Sequence, residues 1–284
     1  MAVQYRNVSA MTCGWSKETG VYALAQAVNS LAAADAASYC VEAKIWYPPH
    51  ADRTKAYGIE KHIRKACAGR GIELQSVKIY PNPLHAVPAV VVTGGGELRE
   101  PKETGGRADQ EIVLVKWTGA EGMLRTTDER EEELRQRFAP SFVSRILSHR
   151  DEIFAGKELE IAKELGISSI RQITEGGILA ALWELAKETG MGIEADLKKM
   201  SILQETIEVC EYYRLNPYQM TSAGTFLMLT EDGRALMDAM EAEQIKASVI
   251  GRLAAGNDKL LRNGEDIRYI DRPAPDEIYK IFHL

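Results

Sequence analysis

The sequence is poor in cysteine and histidine, and neither residue type is arranged as a metal-binding or redox motif. The four cysteines (Cys13, Cys40, Cys67 and Cys210) are isolated, without a CxxC pair or a histidine at ligand spacing. The five histidines are scattered as well. The sequence therefore predicts no metal site built from cysteine and histidine ligands. Isolated thiols are also typical of cytosolic proteins rather than disulfide-bonded ones.

Long apolar runs and an excess of positive charge are also lacking. No stretch approaches the roughly 20 consecutive apolar residues that a bilayer-spanning helix needs, and the first residues, MAVQYRNVSAM, show no signal-peptide pattern. The formal net charge of −6 argues against a nucleic-acid-binding surface. A content of 45% hydrophobic and 27% charged residues is typical of soluble globular proteins. We expect a cytoplasmic protein that binds neither nucleic acid nor a membrane.

The sequence does contain a strand–turn–helix unit with paired glycines. A short apolar strand over residues 168–173 is followed by a helical pattern of apolar residues that ends at Gly190. Between them lies what we call the glycine turn, which consists of Thr174, Glu175, Gly176 and Gly177. Backbone N–H groups at a helix start suit an anion such as phosphate. Glycines equally permit a tight turn and close packing of helix on sheet, and spacing alone favours that packing interpretation.

Strand and helix patterns alternate through the first part of the chain. Helices are predicted over residues 16–37 and 56–70, and strands over 38–47, 72–80, 89–93 and 111–117. We expect Gly94, Gly95 and Gly96 to end a strand, and residues 97–110 to form a surface loop. The charged run over residues 126–136 predicts a solvated helix face and the domain junction. The predicted domains are therefore 1–125 and 126–284.

The second part combines the glycine-turn unit with further helices and strands. Helices are predicted over residues 139–153, 156–166, 202–215 and 232–243, and strands over 221–229, 247–253 and 266–270. Together the two parts indicate an α+β protein.

Three stretches of the second part resemble the C-terminal domain of the aminoimidazole ribonucleotide (AIR) synthase superfamily. They are residues 172–197 (QITEGGILAALWELAKETGMGIEADL), 202–230 and 247–259. The superfamily includes a hydrogenase-maturation factor, selenophosphate synthetase and thiamine-phosphate kinase, and the chain is most similar to the hydrogenase-maturation type. Residues 18–36 and 106–122 resemble the N-terminal domain of the family more faintly.

The resemblance implies a fold and a chemistry. The expected fold has an N-terminal α/β half-barrel domain that dimerises and a C-terminal α+β domain. Relatives are homodimers that bind ATP in a groove between the domains, with Mg²⁺ on carboxylates, and transfer the γ-phosphate to an oxygen of the substrate. Carried over to this sequence, the ligand-binding residues are Thr174, Glu175, Gly176, Gly177, Asn29 and Asn257, and the metal ligands are Asp35 and Asp109.

The sequence also departs from the pattern of active relatives. Ser30 stands where relatives have an aspartate beside the asparagine that matches Asn29, and Asp35 stands where they have a glycine. The aspartate-containing, glycine-rich N-terminal segment that binds ATP in relatives has no counterpart. We therefore expect a degenerate member that binds a small phosphorylated ligand or a partner protein in the groove. The alternatives are a fold without a ligand, or an enzyme that uses ATP and magnesium through Asp35, Asp109, Glu175 and Asp258.

Overall fold

The computed structural model describes residues 4–99 and 105–282. These residues form two compact units, of which the first contains residues 4–99 and 125–143 and the second contains residues 105–124 and 144–282. The division into domains 1–125 and 126–284 stays a prediction. Within the described residues, no helix is long and apolar enough to cross a membrane.

The first unit contains a four-stranded sheet and two long helices. Its elements are β1 (Tyr5–Cys13), α1 (Thr19–Ala33), β2 (Ala36–Tyr47), α2 (Arg53–Arg70), β3 (Glu73–Pro81) and β4 (Ala89–Leu98). The strand order is β1-β4-β2-β3. Strands β2 and β3 are parallel and are joined by α2, whereas β4 runs antiparallel to both of its neighbours.

Alternation along the strands separates a buried face of this sheet from a partly exposed one. On β2, Val41, Ala43 and Ile45 are buried, while the residues between them are half-buried. A Cβ atom on Gly94 would lie 3.0 Å from Leu31 of α1, so the buried face is the one that the helices cover. The alanine-rich sequence of α1 fits this close packing, as the sequence indicates.

Strand β4 differs from the prediction, because the three glycines do not end it. The strand continues through them to Leu98, and Gly94 pairs with Val8 of β1, a strand that the sequence pattern did not predict. A Cβ atom on Gly96 would lie 2.4 Å from the carbonyl oxygen of Ser38 on β2. Glycine is therefore needed at this position for the close approach of the neighbouring strand. Of the predicted loop 97–110, residues 100–104 lie outside the described residues.

The second unit is built on a seven-stranded mixed sheet with the strand order β11-β10-β7-β9-β5-β8-β6. The strands are β5 (Glu111–Val115), β6 (Ile170–Gln172), β7 (Gly192–Asp196), β8 (Phe226–Thr230), β9 (Ala247–Ala254), β10 (Lys259–Asn263) and β11 (Asp266–Tyr269). The helices after β5 are α3 (Ala120–Glu129), α4 (Glu131–Arg137), α5 (Pro140–Ser148), α6 (Lys157–Glu164), α7 (Gly177–Thr189), α8 (Gln204–Tyr213) and α9 (Gly233–Ala242), and the 3-10 helices include His149–Ile153, Pro217–Gln219 and Glu277–Phe282. Of these, α4 and parts of α3 and α5 belong to the first unit.

Helix α7 supplies much of the core of the second unit. Ile178, Leu182 and Leu185 are almost fully buried and share one apolar cluster with Ile112 of β5 and Leu227 of β8. These are the helix positions that the 3.6-residue period selects. The α+β class predicted from the sequence is confirmed, with helices and two sheets.

Two predicted segments have a different structure. The start of α3 lies between the predicted strand 111–117 and the charged run. The charged run 126–136 is not simply a solvated helix face, because Thr126, Thr127 and Leu134 are buried. The predicted strand 221–229 begins only at Phe226. Residues 221–225 instead form a buried loop whose polar groups are bonded to side chains and backbone groups of neighbouring segments, as described below.

Candidate functional site

The glycine turn is closed by backbone hydrogen bonds, and it contains two consecutive residues with left-handed φ angles. The N–H of Ile173 donates to the carbonyl of Thr225 (2.9 Å), and the N–H of Gly177 donates to the carbonyl of Thr174 (3.0 Å). Gly176 and Gly177 have φ angles of 79° and 68°. Side chains are disfavoured at such angles, so the turn requires its glycines.

Gly177 lies directly against the backbone of another segment. A Cβ atom at this position would lie 2.5 Å from the carbonyl oxygen of Tyr218 and 2.7 Å from the nitrogen of Met220. Backbone atoms cannot move aside as a flexible side chain can. The role of Gly177 is therefore close packing, which agrees with the packing interpretation of the sequence.

Gly176 has a different role, because its N–H group binds a carboxylate. It donates to Oδ2 of Asp276 at 2.9 Å, while Oδ1 of the same carboxylate accepts from the N–H of Ile278 at 3.0 Å. The Asp276 side chain is only 3% exposed. A carboxylate at the start of α7 is favoured by the positive end of the helix dipole. The glycine turn thus has an anion-binding geometry, and the anion belongs to the chain itself.

The segment around Asp276 makes further contacts next to the turn. The hydroxyl of Tyr279 donates to Oε1 of Glu175 (3.0 Å), and the N–H of Asn216 donates to Oε2 of Glu277 (3.1 Å). Ile278 and Ile281 are buried. Beside Gly176 the structure leaves a cavity of about 30 Å³, whose lining includes Leu179, Arg268 and Arg272. The C-terminal segment therefore occupies the surface of the glycine turn.

A buried polar loop supports this region. Glu121 at the start of α3 is fully buried, and its Oε2 accepts from the hydroxyl of Thr221 (2.5 Å) and the N–H of Ala223 (2.8 Å). Gln172 precedes the turn, and its Oε1 accepts from the N–H of Gly224 (3.4 Å). Such bonds remove the cost of burying a carboxylate and an amide.

A buried ion pair fixes the segment that precedes α6. Lys116 follows β5 with a φ angle of 70°, and its Nζ lies 2.6 Å from Oε1 of Glu158, a residue only 2% exposed. The same Nζ donates to the carbonyls of Glu152 (3.2 Å) and Phe154 (3.3 Å). Lys116 therefore joins β5 to the 3-10 helix and to α6.

His149 gives this region a pH-dependent contribution to stability. Its Nδ1 lies 2.8 Å from Oε1 of Glu152, and this hydrogen bond raises the pKa of His149 above its ordinary value of 6.5. Because the folded pKa is the higher one, the contribution is fully present below the unfolded pKa and is lost as the pH rises through the folded pKa.

We expect His149→Gln to destabilise the protein more at about pH 5.5 than at about pH 8.5, on either side of an ordinary histidine pKa. The measurement is the urea midpoint of both proteins at each pH. If the urea midpoints of wild type and variant differed by the same amount at both pH values, the stabilising bond between protonated His149 and Glu152 would be contradicted.

The two predicted site residues of the first unit lie in and after α1. Asn29 is 1% exposed within α1. Asp35 occupies the turn between α1 and β2 with a φ angle of 58°, and its carboxylate lies 3.9 Å from the guanidinium of Arg99. The N–H of Arg99 also donates to the carbonyl of Asp35 (3.1 Å). These contacts give Asp35 a structural role in the turn.

The remaining predicted residues lie in exposed loops of the second unit. Asp109 has a φ angle of 68°, and its N–H donates to the carbonyl of Leu253 (2.9 Å). Asn257 and Asp258 lie between β9 and β10, where Lys259 donates to the carbonyl of Asn257 (3.1 Å). Among residues 4–99 and 105–282, no three His, Cys, Asp or Glu side chains form a group that could hold a metal ion. The assignment of Asp35 and Asp109 as metal ligands stays a prediction.

Two carboxylates of the charged run have specific partners in the first unit. Glu129 accepts from the N–H groups of Trp15 (3.0 Å) and Ser16 (2.8 Å) just before α1, and Asp128 accepts from the hydroxyl of Tyr22 (2.6 Å). The sequence interpretation missed both residues, because a run rich in charge gives no indication of which carboxylates turn inward.

Solved structures show which class of protein has this fold. E. coli HypE, a hydrogenase maturation protein, aligns with a TM-score of 0.73 and 14% identity over 99% of this chain and 89% of that chain. A chain of the HypE–HypF complex aligns with a TM-score of 0.72 and 18% identity over 95% of this chain and 90% of that chain. The thiamine monophosphate kinase of Aquifex aeolicus aligns with a TM-score of 0.66 and 14% identity over 92% of each chain. At these identities the similarity shows the fold, which is that of HypE and its structural relatives.

The sequence defines the family. Residues 118–262, just over half of the chain, match the family described as "AIR synthase related protein, C-terminal domain". The chain belongs to the AIR synthase related proteins, as its resemblance predicts. Carbamoyl dehydratase HypE of Rhodobacter capsulatus is 30% identical over 99 residues, which are 34% of this chain and 29% of that protein. The alignment thus spans less than a third of this relative.

Proposed function

We propose that this HypE-like protein is a binding protein, which takes up a partner protein or a small phosphorylated ligand and does not turn over ATP. The observation that carries the proposal is the hydrogen bond from the N–H of Gly176 to the buried Asp276 carboxylate. A phosphate at the start of α7 would need the same donor and would meet a like charge at that place. The contact supports a protein whose glycine turn is occupied by its own chain.

A protein partner is the first choice among the possible ligands. One solved relative, HypE, is in a complex with HypF, and complex formation needs no free glycine turn. We also propose that the chain forms a homodimer. The partly exposed face of the first sheet supports this, since it presents Met11, which is 52% exposed, and Tyr80, which is 43% exposed, together with half-buried Trp46 and Val91. Apolar side chains grouped on one face are typical of interaction surfaces.

The second candidate is an enzyme that uses ATP and magnesium to activate an amide or carbonyl oxygen. It is favoured by the solved structures of HypE in complex with ATP and of a thiamine monophosphate kinase, AaThiL, complexed with AMPPCP and TMP. The carboxylates available for it include Glu175, which accepts from Tyr279. Mg²⁺ bound to ATP commonly takes one or two protein carboxylates and the phosphate oxygens, so this candidate needs no group of three ligand side chains, and the described residues contain none.

Calorimetric titration of the full chain with ATP separates the two candidates. We expect no binding heat up to about 1 mM ATP, with or without magnesium, which corresponds to a standard binding free energy weaker than about −4 kcal/mol. We also expect no ADP after prolonged incubation. Micromolar affinity accompanied by ADP formation would establish the enzyme instead.

A further inference from the structure

The C-terminal residues reach the glycine turn through an extended stretch. After β11, the N–H of Ile270 donates to the carbonyl of Lys259 on β10 (2.7 Å). Residues 271–275 then run exposed and without regular structure, and this stretch contains Pro273 and Pro275, which have no N–H to donate. The 3-10 helix Glu277–Phe282 follows. We call residues 271–282 the C-terminal strap.

The side-chain hydrogen bonds that dock the strap are concentrated at its far end. Asp276 is bonded to Gly176, Tyr279 to Glu175 and Glu277 to Asn216, and all three bonds lie within one short segment. The buried side chains of Ile278 and Ile281 anchor the same segment. An element fixed at one end and joined by an exposed linker can leave as a unit.

We propose that the C-terminal strap is an autoinhibitory contact, in which the Asp276 carboxylate occupies the position of an external oxyanion on the Gly176 N–H. The inference rests on the proposed function, because it describes how the same turn is kept closed. Two features fit an anion at this place. A nearly fully buried carboxylate already binds there, and Arg268 and Arg272 line the adjoining cavity.

The strap competes well because it belongs to the same chain. A group on a short linker acts at an effective concentration that is roughly millimolar or higher. An external phosphate or carboxylate at a lower concentration is therefore excluded while the strap is docked. Removing the Asp276 carboxylate should leave the donor of Gly176 available.

The test compares thermal unfolding of the wild type with that of Asp276→Ala, both as full chains. Inorganic phosphate is the probe, and sodium chloride at the same ionic strength is the control. Phosphate stabilises folded proteins non-specifically, so we expect it, relative to chloride, to raise the Tm of the variant by several degrees more than that of the wild type, as linkage to binding requires. If every anion tested shifts the two proteins equally, the proposal is overturned.

Acetate at the same ionic strength distinguishes the source of the oxyanion. A shift with acetate alone indicates a carboxylate ligand, and a shift with phosphate alone indicates a phosphorylated one; either supports the strap. If neither anion shifts the Tm of Asp276→Ala, the proposal fails. These measurements use neither ATP nor magnesium, so ATP turnover by the wild type would overturn the proposed function without deciding the role of the strap.

Tyr279→Phe keeps the test decisive if Asp276→Ala does not fold. This variant loses only the hydroxyl bond to Glu175 and retains Asp276 and the two buried isoleucines. We expect faster amide hydrogen exchange in residues 276–282, unchanged exchange in α7, and a smaller phosphate-specific rise in Tm. Unchanged exchange in residues 276–282 would contradict the proposal.

Discussion

Gly177→Ala should lower the free energy of unfolding by roughly 2–5 kcal/mol, the combined range for a left-handed backbone and for overpacking. The new Cβ would lie 2.5 Å from the carbonyl oxygen of Tyr218, at a φ angle of 68°. Relief would require movement of the 3-10 helix Pro217–Gln219 away from the start of α7. Urea unfolding followed by circular dichroism measures the loss.

Gly190→Ala is the matched control for this substitution. Gly190 ends α7 with a φ angle of 66°, but nothing lies within 4 Å of its Cβ position. Only the conformational strain should therefore appear, which amounts to about 1–2 kcal/mol. If the two alanine variants lost the same free energy, the close approach of the backbone to Gly177 would be refuted.

Lys116→Met should destabilise the protein by about 3–5 kcal/mol, the usual effect of removing one partner of a buried ion pair. The methionine cannot neutralise Glu158, which is 2% exposed. It also leaves the carbonyls of Glu152 and Phe154 without their donor. The urea midpoint at neutral pH measures the effect.

Two further variants show whether burial causes this loss. Lys157→Met breaks an ion pair with Glu243 on the surface, where the Lys157 side chain is 64% exposed, so its effect should be much smaller. The double variant Lys116→Met/Glu158→Leu should recover much of the lost stability, because no uncompensated charge stays buried. If Lys116→Met lowered the free energy of unfolding as little as Lys157→Met does, burial would not be the cause of the Lys116→Met loss.

Local patterns in the sequence predicted the elements whose stability is mainly local. Helix α7 is an example, because the periodic residues Ile178, Leu182 and Leu185 and the left-handed Gly190 mark both its buried face and its end. Strands that depend on distant partners were harder to predict. The pattern of β1 is that of a polar segment, and the glycines of β4 predict the end of a strand. In the structure, each of these strands is completed by pairing with the other.

The glycine turn shows how far the prediction of the site could go. The sequence offered anion binding and close packing as alternatives, whereas in the structure Gly177 packs and Gly176 binds a carboxylate. Asp276 was not predicted, because its partner lies 100 residues away and no local spacing connects them. Its Oδ1 also accepts from the N–H of Ile278 in the 3-10 helix Glu277–Phe282.

The chain's own Asp276 carboxylate accepts from the N–H of Gly176. Labelling with ¹⁵N-glycine tests most directly whether this contact excludes an external ligand. The full chain is titrated with Mg·ATP while the backbone amide signals of Gly176 and Gly177 are followed, with assignment by substitution. We expect the wild-type Gly176 signal to stay in place up to about 1 mM Mg·ATP, a range that excludes all but weak binding. A Gly176 signal that moves at micromolar Mg·ATP would contradict the claim.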